Sequence, residues 1–197
     1  MKKTLVDLFE ESVRLYPDNT FLLEKTDKKE GFKPTTYSQV KELVYRLGAG
    51  FQALGVKKGD KIAILMMNCL EWLPIYFGIL KTGAVVAPMN FRFSAEEIKY
   101  CLNKADCSML VFGPEFIGRI EEIVDRIPAV HNLFYVGEDC PSFADSYDRM
   151  IGFCSKKAPD VPLSDDDYGA IYFSSGTTGF PKAILHKHRA LTHAALC

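Results

Sequence analysis

The chain has 197 residues, of which 48% are hydrophobic and 12% aromatic, and its formal net charge at pH 7 is −1. That composition excludes a disordered chain, and the near-neutral charge gives no electrostatic basis for binding nucleic acid or an anionic membrane surface. A globular chain of this length buries roughly 70% of the surface that its unfolded form exposes, which is enough for a hydrophobic core.

Helix-like and strand-like patterns alternate along the chain. An amphipathic helix follows Thr4 and ends before Pro17, and Ser94 with Glu97 forms a capping-box pattern at the start of a later helix. The predicted elements are helix 5–16, helix 38–54, strand 61–66, helix 71–81, strand 84–88, helix 94–103, strand 107–112, helix 116–127, strand 132–136, strand 169–173 and helix 189–196. This alternation predicts an α/β fold with βαβ units around a mainly parallel sheet.

Residues 137–167 differ in character, because proline, glycine and serine are frequent there. We expect an irregular connection over this range. Its acidic run, 165–167, does not predict a metal site, since consecutive aspartates point in different directions; we expect a solvated lead-in to the next strand. The lysine pairs at 2–3, 57–58 and 156–157 are expected on the solvated surface.

The cysteines and the amino terminus indicate the compartment. Six cysteines form no C-x-x-C pair and no cluster with the four histidines, so no metal site is predicted. Acidic residues interrupt the first apolar segment, and no stretch approaches about 18 uninterrupted apolar residues, which excludes a secretory signal and a membrane span. We therefore expect a reducing, cytoplasmic setting, in which cysteines are mostly small buried hydrophobes.

The most informative stretch of the chain is YFSSGTTGFPK, residues 172–182. It follows the short apolar strand 169–173 and contains several groups that can hold phosphate oxygens. Glycines allow backbone N–H groups to approach an anion closely, hydroxyls add donors, and a lysine adds a positive charge. The predicted phosphate-binding residues within the loop 172–183 are Ser174, Ser175, Gly176, Thr177, Thr178, Gly179 and Lys182.

The Walker loop fits this stretch only in part. With its first glycine on Gly176, Pro181 occupies the position of the second glycine and Ala183 occupies the position of the hydroxyl that holds Mg²⁺. These two departures argue against a GTPase or ATPase motor.

The loop closely resembles the phosphate-loop signature of the adenylate-forming enzymes, which include acyl-CoA synthetases, luciferases and nonribosomal-peptide adenylation domains. The likeness extends through most of the chain, and among the branches it is greatest to acyl-CoA synthetases of fatty or related carboxylic acids. Two residues depart from the family pattern. Ala183 stands where the family commonly has glycine, and Phe91 stands where many members have proline. The other matching segments are 16–18, 36–40, 55–60, the region of Asn68 and Glu71, 83–90 and 97–100.

The resemblance implies a reaction and its cofactors. A carboxylic acid is joined to ATP with release of pyrophosphate, and the acyl group of acyl-AMP then passes to CoA; Mg²⁺ is implied by the polyphosphate. Members of the family are several hundred residues long, so we expect residues 1–197 to be a truncated N-terminal domain that is inactive alone. The catalytic residues beyond the phosphate loop are not identified.

Two alternatives remain open at the level of sequence. The protein could be an adenylation domain that loads a carrier protein instead of CoA. It could also be a non-catalytic product that binds nucleotide, or a partner chain or its own copy, through an open sheet edge.

Two further groups of residues invite functional interpretations. Trp72, Tyr76 and Phe77 could form an acyl-binding stripe, but their helical spacing favours core packing. His188 matches a position where the family often has histidine, and a structural hydrogen bond is favoured over proton transfer.

Overall fold

The computed structural model describes residues 3–25, 31–152, 154, 157–174 and 179–197. Within these ranges helices and strands alternate through the middle of the chain. The helices are α1 (Leu5–Leu15), α2 (Tyr37–Ala53), α3 (Trp72–Lys81), α4 (Ala95–Ala105), α5 (Ile117–Glu121), α6 (Tyr147–Gly152) and α7 (His188–Leu196). The strands are β1 (Thr20–Lys25), β2 (Phe32–Thr36), β3 (Lys61–Leu65), β4 (Val85–Pro88), β5 (Met109–Phe112), β6 (Asn132–Tyr135), β7 (Asp145–Ser146), β8 (Tyr168–Ser174) and β9 (Lys182–Lys187).

Seven strands form the main sheet in the order β7-β6-β5-β3-β4-β8-β9. All neighbouring pairs are parallel except β8 and β9, which form an antiparallel hairpin. Strands β1 and β2 form a separate antiparallel pair. The predicted α/β fold with a mainly parallel sheet is thereby confirmed.

The sheet is covered on both faces, which explains the nearly continuous apolar runs of its central strands. Successive side chains of β3 point to opposite faces: Ala63 and Leu65 join a core with α4 and α5, whereas Ile62 and Ile64 join a core with α2 and α3. A third, smaller cluster lies between α1 and α2 and contains Phe9.

Capping boxes fix three helix starts. Ser94 with Glu97 caps α4, as predicted from the sequence. Thr4 with Asp7 caps α1, where the sequence predicted a helix after Thr4 but not the cap. Thr36 caps α2 in the same way, so this helix begins at Tyr37, slightly before the predicted start.

The structure differs from the sequence prediction in several elements. The hairpin β1–β2 was not predicted, because its residues are mostly exposed and show no clean alternation of apolar and polar side chains. The range 137–167 is not wholly irregular, since it contains β7 and α6. The predicted single helix 116–127 is wrong: α5 is short and is flanked by 3₁₀ turns at Pro114–Phe116 and Val124–Arg126.

The acidic run leads into β8 as predicted, but it is more than a solvated segment. The Asp167 carboxylate lies 2.6 Å from the Lys58 ammonium, and Asp166 is 2.9 Å from both Lys187 and Arg189. Lys58 also donates to the Pro162 carbonyl, so one lysine of the pair 57–58 connects the start of β3 to the start of β8.

The cysteines do not follow a single pattern of burial. Cys101 and Cys107 are buried, and burial raises the pKa of each thiol to about 12, whereas Cys69, Cys140 and Cys197 are exposed. No helix among the described residues is both long and apolar enough to span a bilayer.

Candidate functional site

The predicted phosphate loop is the connection of the β8–β9 hairpin. Ser174, the last residue of β8, is the register partner of Lys182, the first residue of β9, so the loop begins and ends at one point on the sheet. Strand β8 runs parallel to β4, and the loop therefore leaves the sheet at the carboxyl edge of the parallel strands. In open α/β sheets, ligands bind outside that edge.

Three of the predicted phosphate-binding residues lie within the described ranges. Ser174 is half-buried, Gly179 is exposed with φ of +111°, and Lys182 is exposed. A positive φ favours glycine, and open space surrounds the position of a Cβ on Gly179, so the chain needs glycine there for its turn and not for close packing. The predicted residues Ser175, Gly176, Thr177 and Thr178 lie outside the described residues.

Lys182 is placed to meet an anion. Paired residues of an antiparallel ladder project on the same side of the sheet, so the Lys182 side chain and the Ser174 hydroxyl share one face. Within the part of the chain that the structure describes, Lys182 forms no ion pair. An ammonium without a carboxylate partner remains available for a phosphate oxygen.

Aromatic contacts hold both ends of the loop against α4 and the segment that precedes it. The Phe180 ring stacks on Tyr100 of α4, with centroids 4.5 Å apart and an interplanar angle of 23°. Phe173 meets Phe93 edge to face at 6.4 Å. The loop is therefore anchored at its return as well as at its start.

The other face of β8 is tied to α3. The Tyr172 and Tyr76 hydroxyl oxygens lie 2.9 Å apart, and Tyr76 also stacks on Trp72. Burial, followed by the contact with Tyr172, raises the pKa of Tyr76. Phe77 stacks on Phe9 of α1 at 4.5 Å, so the stripe on α3 is core packing, as predicted.

The segment after β4 borders the same edge of the sheet and is braced from α5. The Arg119 guanidinium donates to the carbonyls of Phe91 and Phe93, at 2.7 and 3.0 Å. Phe91, one of the two departures from the family pattern, is exposed, and the Arg92 guanidinium lies 5.3 Å from its ring centroid. Neither the Arg119 contacts nor Phe91 lies in the hairpin that carries the phosphate loop.

His188 has a structural hydrogen bond, as the sequence favoured. Its Nδ1 atom accepts from the Leu5 backbone N–H at 3.3 Å, and only 1% of the residue is exposed. Burial lowers the pKa of the imidazole, with Asp167 and Asp7 opposing that effect. The group stands at the amino end of α7, away from the phosphate loop at the other end of β9.

Several residues that shape this site were not found from the sequence. Tyr100 and Arg119 are ordinary helix residues by pattern, and only the fold brings them to Phe180 and to the segment after β4. Phe180 offered one signal, since a large aromatic ring inside a polar loop suggests a packing partner. No cluster of metal-ligating side chains is present among the described residues.

The chain is similar to known proteins in sequence and in fold. The family model for AMP-binding enzyme matches residues 9–197. A long-chain-fatty-acid–CoA ligase of Thermus thermophilus is 34% identical over 157 residues, covering 80% of this chain and 28% of the ligase. A crotonobetaine/carnitine–CoA ligase of Proteus mirabilis is 29% identical over 201 residues, covering 98% of this chain and 38% of the ligase. The chain thus spans about a third of the length of these curated relatives.

Solved structures give the same result. The anthranilate CoA ligase AuaEII in complex with anthranoyl-AMP superposes with a TM-score of 0.91 at 26% identity, over 99% of this chain and 36% of that one. The N-terminal domain of FACL13 from Mycobacterium tuberculosis superposes with a TM-score of 0.82 at 27% identity, over 98% of this chain and 46% of that domain. The family model covers most of the chain and the fold agrees with it, and the chain belongs to the AMP-binding enzyme family.

Proposed function

We propose that residues 1–197 form the N-terminal part of an AMP-forming acyl-CoA ligase, with residues 172–183 as its phosphate loop. The observation that carries this proposal is the pairing of Ser174 with Lys182 at the mouth of a hairpin on the carboxyl edge of the sheet. The family match and the names of the relatives support it.

The reaction has two group-transfer steps. A carboxylate oxygen of the acid attacks the α-phosphorus of ATP, the bond to the β-phosphate oxygen breaks, and pyrophosphate leaves. The thiol sulfur of CoA then attacks the acyl carbonyl of acyl-AMP and loses its proton, and AMP leaves. We propose fatty or related carboxylic acids as the substrate class, which agrees with the ligases that this chain resembles.

The role of the loop in this reaction is electrostatic. Negative charge develops on the β- and γ-phosphates as pyrophosphate departs, and fixed donors that already point at that charge lower the barrier. Lys182 supplies a cation, and Ser174, Ser175, Thr177 and Thr178 supply hydroxyls. Gly176 and Gly179 let the backbone approach. Mg²⁺ accompanies the polyphosphate when ATP is bound.

Lys182→Ala tests this role in the ligase that contains the segment. A hydrogen bond to a charged group contributes about 1.5–3 kcal/mol, so the adenylation rate should fall roughly tenfold to a hundredfold. The measurement is pyrophosphate release with ATP and a fatty acid. Lys57→Ala is the matched control, because Lys57 is also exposed but precedes β3 at the opposite edge of the sheet. An unchanged rate in Lys182→Ala would contradict the assignment.

The isolated chain of 197 residues should not release pyrophosphate under the same conditions, because it spans only 28% and 38% of the two curated ligases. Pyrophosphate release by the purified chain would show that these 197 residues suffice for adenylation.

The acceptor of the acyl group is tested in the ligase that contains this segment, by measuring thioester formation with CoA. A thioester formed on a phosphopantetheinyl carrier protein, and none with CoA, would assign the adenylation-domain alternative.

The mass of the protein in its source cell decides which form to assay. An antibody against this segment should detect a product two to three times larger than the 22.1 kDa chain. A native product of 22.1 kDa would instead favour the non-catalytic alternative, which a concentration-dependent mass of the isolated chain would support.

A further inference from the structure

A second crevice lies at the carboxyl edge of the sheet, between β3 and β5. The chain leaves β3 toward α3, on one face of the sheet, and leaves β5 toward α5, on the other face. Adjacent strands whose connections diverge in this way create a switch point, where ligands of open α/β sheets bind. Strand β4 separates this crevice from β8 and its phosphate loop.

A cavity of about 310 Å³ occupies that crevice, at the lower end of the sizes typical of small-ligand pockets. Its walls come from the segments that follow β3, β5 and β6 and from α6. Four carboxylates line it, and no lysine, arginine or histidine does. The acidic residues are Glu71, Glu115, Glu138 and Asp148.

The Tyr147 hydroxyl is the second feature of this cavity. Only 5% of Tyr147 is exposed, and the residue lines the cavity from α6. Glu71, Asp148 and Cys69 line the same cavity. Burial first, and then these three groups, raise the pKa of the Tyr147 hydroxyl. Among the described residues the Tyr147 hydroxyl forms no hydrogen bond, and it is not one of the buried side-chain atoms left without a partner, so it is open to the cavity. A ligand in the cavity can therefore bond to this hydroxyl in place of water.

The lining also limits the chemistry of the ligand. Carboxylates and a phenol oxygen accept hydrogen bonds, so a complementary ligand carries positive charge and N–H donors. The described carboxylates do not converge as a group that could hold a metal ion. Met66 and Val136 add apolar wall, which suits a ligand with a short hydrocarbon part.

We propose that this cavity binds a small organic cation whose ammonium or guanidinium group lies between Glu71 and the Tyr147 hydroxyl. The hydrocarbon part of the ligand packs on Met66 and Val136. This site is separate from the phosphate loop and does not depend on the ligase assignment.

Agmatine is the probe, because it carries a guanidinium and an ammonium group on a four-carbon chain. Calorimetric titration of the 197-residue protein without ATP, at about 0.15 M salt to screen non-specific charge attraction, should give saturable 1:1 binding. Tyr147→Phe and Glu71→Gln should each weaken that binding about tenfold or more, because each removes a hydrogen bond to a charged group. Glu121→Gln removes the same charge from the exposed end of α5, outside the cavity, and should leave the affinity unchanged.

Three outcomes would overturn the proposal. They are the absence of saturable binding, an equal loss of affinity in Glu121→Gln and Glu71→Gln, and 1:1 binding of MgCl₂ that depends on Glu71 and displaces agmatine. If Tyr147→Phe lowers the thermal unfolding temperature so far that it is not folded at the assay temperature, the comparison of Glu71→Gln with Glu121→Gln decides the proposal.

Discussion

At the scale of single residues, the pair Tyr76 and Tyr172 connects α3 to the strand that carries the phosphate loop. The two hydroxyls share one hydrogen bond at 2.9 Å, but their surroundings differ. Tyr76 is 5% exposed and Tyr172 is 37% exposed. Water can replace the partner of Tyr172, whereas it has little access to Tyr76.

Tyr172→Phe should therefore destabilise the protein more than Tyr76→Phe. The first change leaves the buried Tyr76 hydroxyl without a partner, which costs about 1–3 kcal/mol. The second change leaves the Tyr172 hydroxyl where water reaches it, and its cost should be below about 1 kcal/mol. Urea unfolding of both variants measures these free energies.

The double variant Tyr76→Phe/Tyr172→Phe is the internal control. Removing both hydroxyls leaves no buried polar group unpaired, so the double variant should be more stable than Tyr172→Phe alone. If the two single losses simply add, the hydroxyls are not coupled and the prediction is wrong.

At the scale of elements, α2 and α3 cross closely because glycines lie at the contact. A Cβ on Gly78 of α3 would lie 2.7 Å from the Leu47 Cβ of α2, and one on Gly48 of α2 would lie 3.4 Å from the Gly78 carbonyl oxygen. A Cβ is fixed to the backbone, so such a clash can be relieved only by moving a helix.

Gly78→Ala should destabilise the protein by about 1–2 kcal/mol, because overpacking outweighs the gain in helix propensity. Gly118→Ala is the matched control: it lies in α5, and nothing stands within 4 Å of its Cβ position. That control should be neutral or stabilising by up to about 1 kcal/mol. Thermal unfolding of the two variants gives the comparison, and equal stability of both would contradict close packing at Gly78.

The region 114–126 explains one error of the sequence prediction. Phe116, Ile120, Ile123 and Ile127 are all buried, with a spacing that an α-helix would produce. The backbone nevertheless uses tighter bonds, from the Ile123 N–H to the Ile120 carbonyl and from the Arg126 N–H to the Ile123 carbonyl. Periodicity of burial does not distinguish these 3₁₀ turns from a continuous helix, because both place such residues on one face.

At the scale of the whole molecule, His188 links the first helix to the last. Its Nδ1 atom accepts the Leu5 N–H at the start of α1, and a protonated imidazole could not accept that bond. Its lowered pKa means that the unfolded chain, with an ordinary histidine pKa near about 6.5, takes up this proton more readily than the folded chain. The contribution of His188 to the free energy of unfolding is therefore fully present above about pH 6.5 and declines as the pH falls below that value.

We expect the free energy of unfolding to decrease between about pH 7.5 and about pH 5.5, and part of that decrease to disappear in His188→Gln. Urea titrations at the two pH values measure the difference for each protein. His131→Gln is the control, because His131 is exposed and its replacement should leave the pH dependence intact. A pH dependence in His188→Gln equal to that of the unchanged chain would contradict this role.

Sequence patterns alone predict the alternation of strands and helices, the capped start of α4, and the composition of the phosphate loop. These features depend on neighbouring residues: capping joins Ser94 to Glu97, and the loop concentrates its hydroxyls, glycines and lysine between Ser174 and Lys182. Local interactions of this kind can be recognised from the amino-acid sequence.

Contacts between distant residues, in contrast, are visible only in the folded structure. Tyr100 stacks on Phe180, Lys58 pairs with Asp167, and Tyr147 closes a cavity whose other walls follow β3, β5 and β6. Such contacts depend on the order of strands in the sheet, which periodicity does not specify. That order placed one predicted site after β8 and a second, unpredicted cavity between β3 and β5, because parallel strands bring the ends of separate chain segments to a common edge.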